Sequence, residues 1–198
     1  MPKSTFYNLP DEKREMIESA LLDIFYDQHI SQVKVAQVVE ATGISRAAFY
    51  KYFPTLEDAH QYMINKLSLQ IHRDILHSIE QNKHDFFGGI KQYLHDCSEL
   101  DHESVYWKGI KLLIKGENTV IYRRMDVLEE SKMVKDWLEL LHQNDFNIQK
   151  TEEAMSFLYF VMDLVIDSLT SLIVNEWGTA EIIKDFTYRS NWLLKGIK

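Results

Sequence analysis

Apolar residues recur at steps of three and four along most of this chain, the spacing of buried helix faces. Met16, Ile17, Ala20, Leu21, Ile24 and Phe25 predict a first helix, opened around Asn8, Pro10, Asp11 and Glu12 and running to about Gln28. Val35, Val38 and Val39 give a short second helix its apolar face. Thr42-Gly43-Ile44 then breaks the pattern, Ser45 is a good N-cap, and Phe49 and Phe53 stand one turn apart in a third helix. Pro54 and Thr55 stop that element and start a long helix over 56–81, with Tyr62, Leu67, Leu69, Ile71, Ile75, Leu76 and Ile79 at its apolar positions. Further helical stretches follow from Phe86 to Leu94, from Val105 to Lys115 and from Thr119 to about Leu141, with a polar turn from His142 to Lys150.

Two helices close the chain. Thr151 opens a segment expected to stay helical to about Trp177, with Glu152, Ser156, Asp163, Asp167 and Ser171 tracing one narrow polar stripe. A helix apolar over most of its circumference needs partners on two sides. One side is met by the domain's own core, and the other most simply by a second subunit. A membrane span over 154–174 is disfavoured, since Asp163 and Asp167 near its centre would each cost roughly 2.5–3.5 kcal/mol. Thr179 then caps a final helix with Ile182, Ile183, Phe186, Leu193 and Ile197 as its expected buried face.

The segment from 33 to 53, VKVAQVVEATGISRAAFYKYF, is a helix, a glycine turn and a second short helix, which is the layout of a helix-turn-helix. With Phe49 and Phe53 turned inward, Arg46, Tyr50, Lys51 and Tyr52 are expected on the opposite side. Arginine offers paired donors to guanine edges or phosphate, tyrosine hydroxyls and lysine suit phosphate oxygens, and Ala47 suits a thymine methyl. An ordinary helical hairpin inside a core is the plain alternative.

Residues 10 to 60 resemble the N-terminal domain of TetR-type transcriptional regulators. The resemblance rests on Lys34-Val35, Val38-Val39, Thr42-Gly43-Ile44-Ser45, Phe49-Tyr50-Lys51-Tyr52-Phe53 and Glu57. It departs from the family pattern at Leu56, where a phosphate-binding lysine is usual, and at Lys34, which replaces a threonine and offers its own backbone contact. The resemblance implies an all-α protein: a three-helix DNA-binding domain over 1–54, and a helical bundle for ligand binding and dimerisation over 55–198. DNA contacts are then expected from Lys34, Val35, Ser45, Arg46, Ala47, Tyr50, Lys51 and Tyr52. The family's ligand pocket is expected to draw on Tyr93, Cys97, Trp107, Ile110, Tyr122, Met125, Trp137 and Phe160, with Tyr106 and Met162 nearby, although aromatic stripes at this spacing are also ordinary core. A four-helix bundle with the partner is expected through Phe157, Val161, Leu164, Val165, Leu169, Leu172, Ile182, Phe186 and Leu193. The implied function is a ligand-responsive regulator, more commonly a repressor, that binds a palindromic duplex operator as a homodimer. The effector suggested by this inventory is an apolar or aromatic small molecule.

Charge complicates that reading. The chain of 198 residues carries a net −8, which is not the footprint of a strongly basic DNA binder. Residues 1–54 hold six Lys/Arg against seven Asp/Glu, so most of the acidity lies in the remainder. Between 33 and 53, Lys34, Arg46 and Lys51 face only Glu40. An adaptor acting through protein contacts is therefore the alternative function. His95, Cys97, Asp101 and His102 are metal-ligand types without metal-site spacing, and the chain has no G-x-S-x-G, Walker or G-x-G-x-x-G motif, so neither metal, cofactor nor enzymatic activity is expected. One cysteine and no visible signal peptide point to the cytoplasm.

Overall fold

A computed structural model describes residues 1–115 and 132–195. Among the described residues every regular element is helical: α1 (Ser4–Tyr7), α2 (Asp11–Asp27), a 3-10 turn (Ile30–Gln32), α3 (Val35–Thr42), α4 (Arg46–Tyr52), α5 (Leu56–Gln81), α6 (Phe86–Ser98), α7 (Val105–Lys115), α8 (Lys132–Gln143), α9 (Thr151–Val174) and α10 (Thr179–Lys195). The expected helix over 119–141 is described only from Lys132, and Ile197 also lies outside the described residues. The chain forms two compact units. One takes Met1–Gln70 and the chain from Asp101 through α7; the other takes Ile71–Leu100 and the chain from α8 onward.

The first unit is built on α2, α3, α4 and the first half of α5. Ile17, Leu21, Val38, Phe49, Phe53 and Ile64 are wholly enclosed there, and Phe6 joins them from the short α1, an element the periodicity did not announce. Its ring lies 4.7 Å from that of Phe53 and 5.3 Å from that of Tyr62. The core also holds one charge. Glu18 on α2 is 5% exposed and accepts from the Tyr62 hydroxyl and the Lys66 ammonium, both on α5. Helix α7 joins this unit along α2. Leu112 enters its core, Lys108 Nζ lies 2.9 Å from Asp23, and Lys108 and Lys111 both approach the Tyr26 ring at 5.1 Å.

In the second unit α6 packs against α9 and α10, and α8 against α9. The backbones of α5 and α6 approach so closely that a Cβ on Gly89 would fall 2.5 Å from Ile79 Cα, and Ser78 Oγ donates to the Gly89 carbonyl at 2.8 Å. Phe86 sits among Trp137, Phe146 and Phe157 with ring centres 5.0–5.9 Å away.

Helix α9 is long and apolar enough to cross a membrane by length and composition alone, with a mean hydropathy of 1.9. Its exposed stripe runs through Glu152, Ser156, Phe160, Asp163, Asp167 and Val174, whereas Ser171, expected on that stripe, is buried. Its other side packs against α6, α8 and α10.

Candidate nucleic-acid interface

The turn between α3 and α4 is set by three local devices. Gly43 adopts φ +64°, ψ 9°, the left-handed conformation that closes α3 and that glycine reaches without Cβ strain. Thr42 Oγ1 donates to the Val38 carbonyl at 2.6 Å and so stays inside the core. Ser45 Oγ accepts the Ala48 N–H at 3.1 Å, capping α4. At the start of α3 the Lys34 N–H donates to Gln37 Oε1 at 2.7 Å, half of a capping box, which leaves the Lys34 ammonium unused by the cap.

Helix α4 is then pinned by Phe49 and Phe53, both fully buried. Arg46, Ala47, Tyr50 and Lys51 are exposed on its other side. The Arg46 guanidinium lies 5.9 Å from the centre of the Tyr50 ring, one turn on, so the two side chains share one patch. Lys34 and Ser45 are exposed as well.

Two expected contact residues stand elsewhere. Tyr52 is 8% exposed, with its ring 6.1 Å from Phe6, so it faces inward rather than alongside Tyr50. The cause is angular: six residues after Arg46, Tyr52 has rotated past the outer face onto the side covered by α1. Val35 is half-buried and packs on the core of the first unit. Sequence reasoning also missed two neighbours of the turn. Glu12 and Lys13, in the first turn of α2, line an open depression with Gly43, Ile44, Ser45 and Ala48. No local pattern marks them, since their position depends on how α2 crosses the pair.

The C-terminus of α4 is completed from a distance. The Phe49 carbonyl receives the Phe53 N–H, the Tyr52 carbonyl receives the Lys3 N–H at 2.8 Å, and the Tyr50 carbonyl receives Lys3 Nζ at 2.8 Å. Thr5 Oγ1 donates to the Lys51 carbonyl. The last four carbonyls of a helix ordinarily lack intrahelical donors, and here each has one.

The described residues expected around a ligand are divided between the two compact units. Trp107 and Ile110 belong to the first unit, where Ile110 is fully buried and Trp107 stacks on His102 at 4.2 Å. Tyr93, Cys97 and Trp137 belong to the second. Trp137 is core there: 1% exposed, with Nε1 donating to the Ala154 carbonyl at 2.8 Å. Cys97 is 2% exposed and its thiol is pushed up to about 12, chiefly by burial. Phe160 is 45% exposed, on the outer stripe of α9 rather than an interior wall. Tyr122 and Met125 lie outside the described residues.

The expected subunit-contact residues need a similar correction. Val161, Val165, Leu169, Leu172, Ile182 and Phe186 are buried within the single chain and leave a partner almost nothing to cover. Periodicity identified them as apolar without saying which neighbour buries them. Phe157 and Leu164 are half-buried. Leu193, expected on the buried face of α10, is instead exposed, together with Tyr188, Trp192 and Leu194 on α10 and Val174 on α9.

The family model for the tetracyclin repressor-like C-terminal domain matches residues 85–197. Among solved structures, a TetR transcriptional regulator from Rhodococcus sp. RHA1 is similar over 94% of this chain and 99% of its own, at 12% identity and a TM-score of 0.51. A TetR family transcriptional regulator from Chloroflexus aurantiacus J-10-fl is similar over 98% of this chain and 91% of its own, at 19% identity and a TM-score of 0.47. No curated protein matches the sequence. With more than half of its length matched by that C-terminal domain, the chain belongs to the TetR family of transcriptional regulators.

Proposed function

We propose that the chain is a ligand-responsive repressor that binds a palindromic duplex operator as a homodimer. The observation that carries this is the α4 patch. Arg46, Ala47, Tyr50 and Lys51 are exposed together, while Phe49 and Phe53 anchor the reverse side in the core. Arg46 has the donor pair for a guanine edge or a phosphate, Ala47 the methyl for thymine, and Tyr50, Lys51, Lys34 and Ser45 suit backbone phosphates. Residues 1–54 are the reading domain on this view, and 55–198 the effector and dimerisation domain.

Two-fold pairing is supported by the exposed apolar side chains of α9 and α10, Phe160, Val174, Trp192, Leu193 and Leu194. A symmetric dimer would present two α4 helices to half-sites one helical turn apart, about 34–36 Å. The effector, an apolar or aromatic small molecule, would enter the C-terminal body and bias the tilt of α5, which runs unbroken from Leu56 to Gln81. TetR-type regulators are generally transcription factors, and we assign this one a cytoplasmic location and no catalytic activity.

The test is a duplex-selection experiment. Wild-type protein should enrich a two-fold symmetric sequence from a random-sequence library. Arg46→Ala should weaken binding to the enriched duplex by about 1–3 kcal/mol and relax its sequence preference. Enrichment of nothing by the wild type at low salt, or equal binding by Arg46→Ala, would remove the basis of the proposal.

A further inference from the structure

We infer that Lys3 and Thr5 are positioning residues for DNA reading: the segment before α2 sets the orientation of α4 and thereby of Arg46 and Tyr50. This rests on the DNA-binding reading above.

The need for such a device is written in the chain at Pro54. In a helix that continued, the N–H of residue 54 would bond the carbonyl of residue 50. Proline has none, so the Tyr50 carbonyl must find another donor or be left to water. Lys3 Nζ fills that place at 2.8 Å. Thr5 Oγ1 serves the Lys51 carbonyl, and the Lys3 N–H serves that of Tyr52. Three consecutive carbonyls of α4 are thus held by one tripeptide, and Phe6 directly after it locks the segment with a fully buried ring 4.7 Å from Phe53. The ammonium also stands at the negative end of the α4 dipole, where a cation is favoured.

The consequence concerns geometry more than charge. Helix α4 has only two turns, so its own hydrogen bonds fix its end weakly. Tyr50 and Lys51 belong to the same turn that the segment clamps. A loosened C-terminus would move the side chains that face the duplex. Lys3 itself is exposed, but its ammonium is committed to a carbonyl rather than offered to phosphate.

This assignment separates from a phosphate contact by salt dependence. Each phosphate-bound lysine contributes about 0.9 to the slope of log Kobs against log salt. Lys3→Met should weaken binding to the selected duplex about tenfold with the slope unchanged, Lys3→Arg should restore most of it, and Thr5→Val should weaken it in the same direction. Amide exchange measured without DNA should show faster exchange in α4 for Lys3→Met, with α9 unaffected. A slope that falls by about 0.9 would make Lys3 a phosphate ligand and overturn the inference. So would wild-type affinity in the folded fraction of Lys3→Met, or unchanged α4 exchange. Should the wild type bind no duplex while α4 exchange still responds to Lys3→Met, the DNA reading itself has failed, and the inference falls with it.

Discussion

Replacing Gly43 by alanine isolates backbone conformation from packing at the centre of the reading pair. Gly43 sits at φ +64°, and a Cβ built there meets nothing within 4 Å. Space is therefore not the obstacle. The left-handed conformation costs an L-residue roughly 1–2 kcal/mol. Alanine returns about 0.4–1 kcal/mol by restricting the unfolded chain. The net destabilisation should be close to 1 kcal/mol, about 2–4 °C in Tm for a chain of this length. Asparagine, which tolerates this conformation better, should cost less, and valine more. Urea unfolding followed by circular dichroism checks the ranking, with an unchanged m-value marking a change in the native state alone. The reasoning is refuted if alanine is neutral or stabilising. It is equally refuted if alanine and asparagine both cost more than about 3 kcal/mol, a loss that points to collision rather than to backbone preference.

Two other outcomes follow from buried titratable groups. His60 on α5 is half-buried, edge-on to Phe25 at 5.0 Å, and burial first, then the nearby His29, hold its pKa below the ordinary value. Burial also lowers that of His72. The unfolded chain takes up these protons first, so stability should fall as pH drops below about 6.5 and level off beneath the folded-state pKa values. Urea midpoints between pH 5.5 and 7.5 test this, with His60→Gln flattening the slope; a midpoint that climbs on acidification contradicts the sign. Cys97, buried and with its thiol pushed up to about 12 chiefly by that burial, should react with a disulfide reagent at pH 8 more than about tenfold more slowly in the native protein than in urea, because the lost thiolate fraction outweighs the greater nucleophilicity of a high-pKa thiolate. Stoichiometric labelling of the native chain within minutes would show that the thiol is reached without unfolding.

Local chemistry made the reading pair legible in advance. Gly43 and Ser45 act on neighbours within four residues, Phe49 and Phe53 repeat at one-turn spacing, and each stands in the structure as its type and spacing imply. Tyr52 shows where that reasoning ends. On a two-turn helix, which side chains face outward depends on what covers the flank, and the cover is α1, some forty-five residues earlier. The apolar character of α9 and α10 was equally plain, yet Val161 and Phe186 face their own chain while Trp192 and Leu194 do not. Periodicity gives the width of a buried face; the neighbour that buries it is a property of topology.

The borrowed donors at the end of α4 bear on how this protein can be cut and recombined. A fragment started at Pro10, a natural boundary by helix pattern, would keep every side chain of the α4 patch but discard Lys3, Thr5 and Phe6. A chimaera that transplanted residues 33–53 alone would inherit the same defect. The smallest transferable reading head is therefore discontinuous in its logic: its tip is encoded near residue 50, and the hand that steadies it near residue 4.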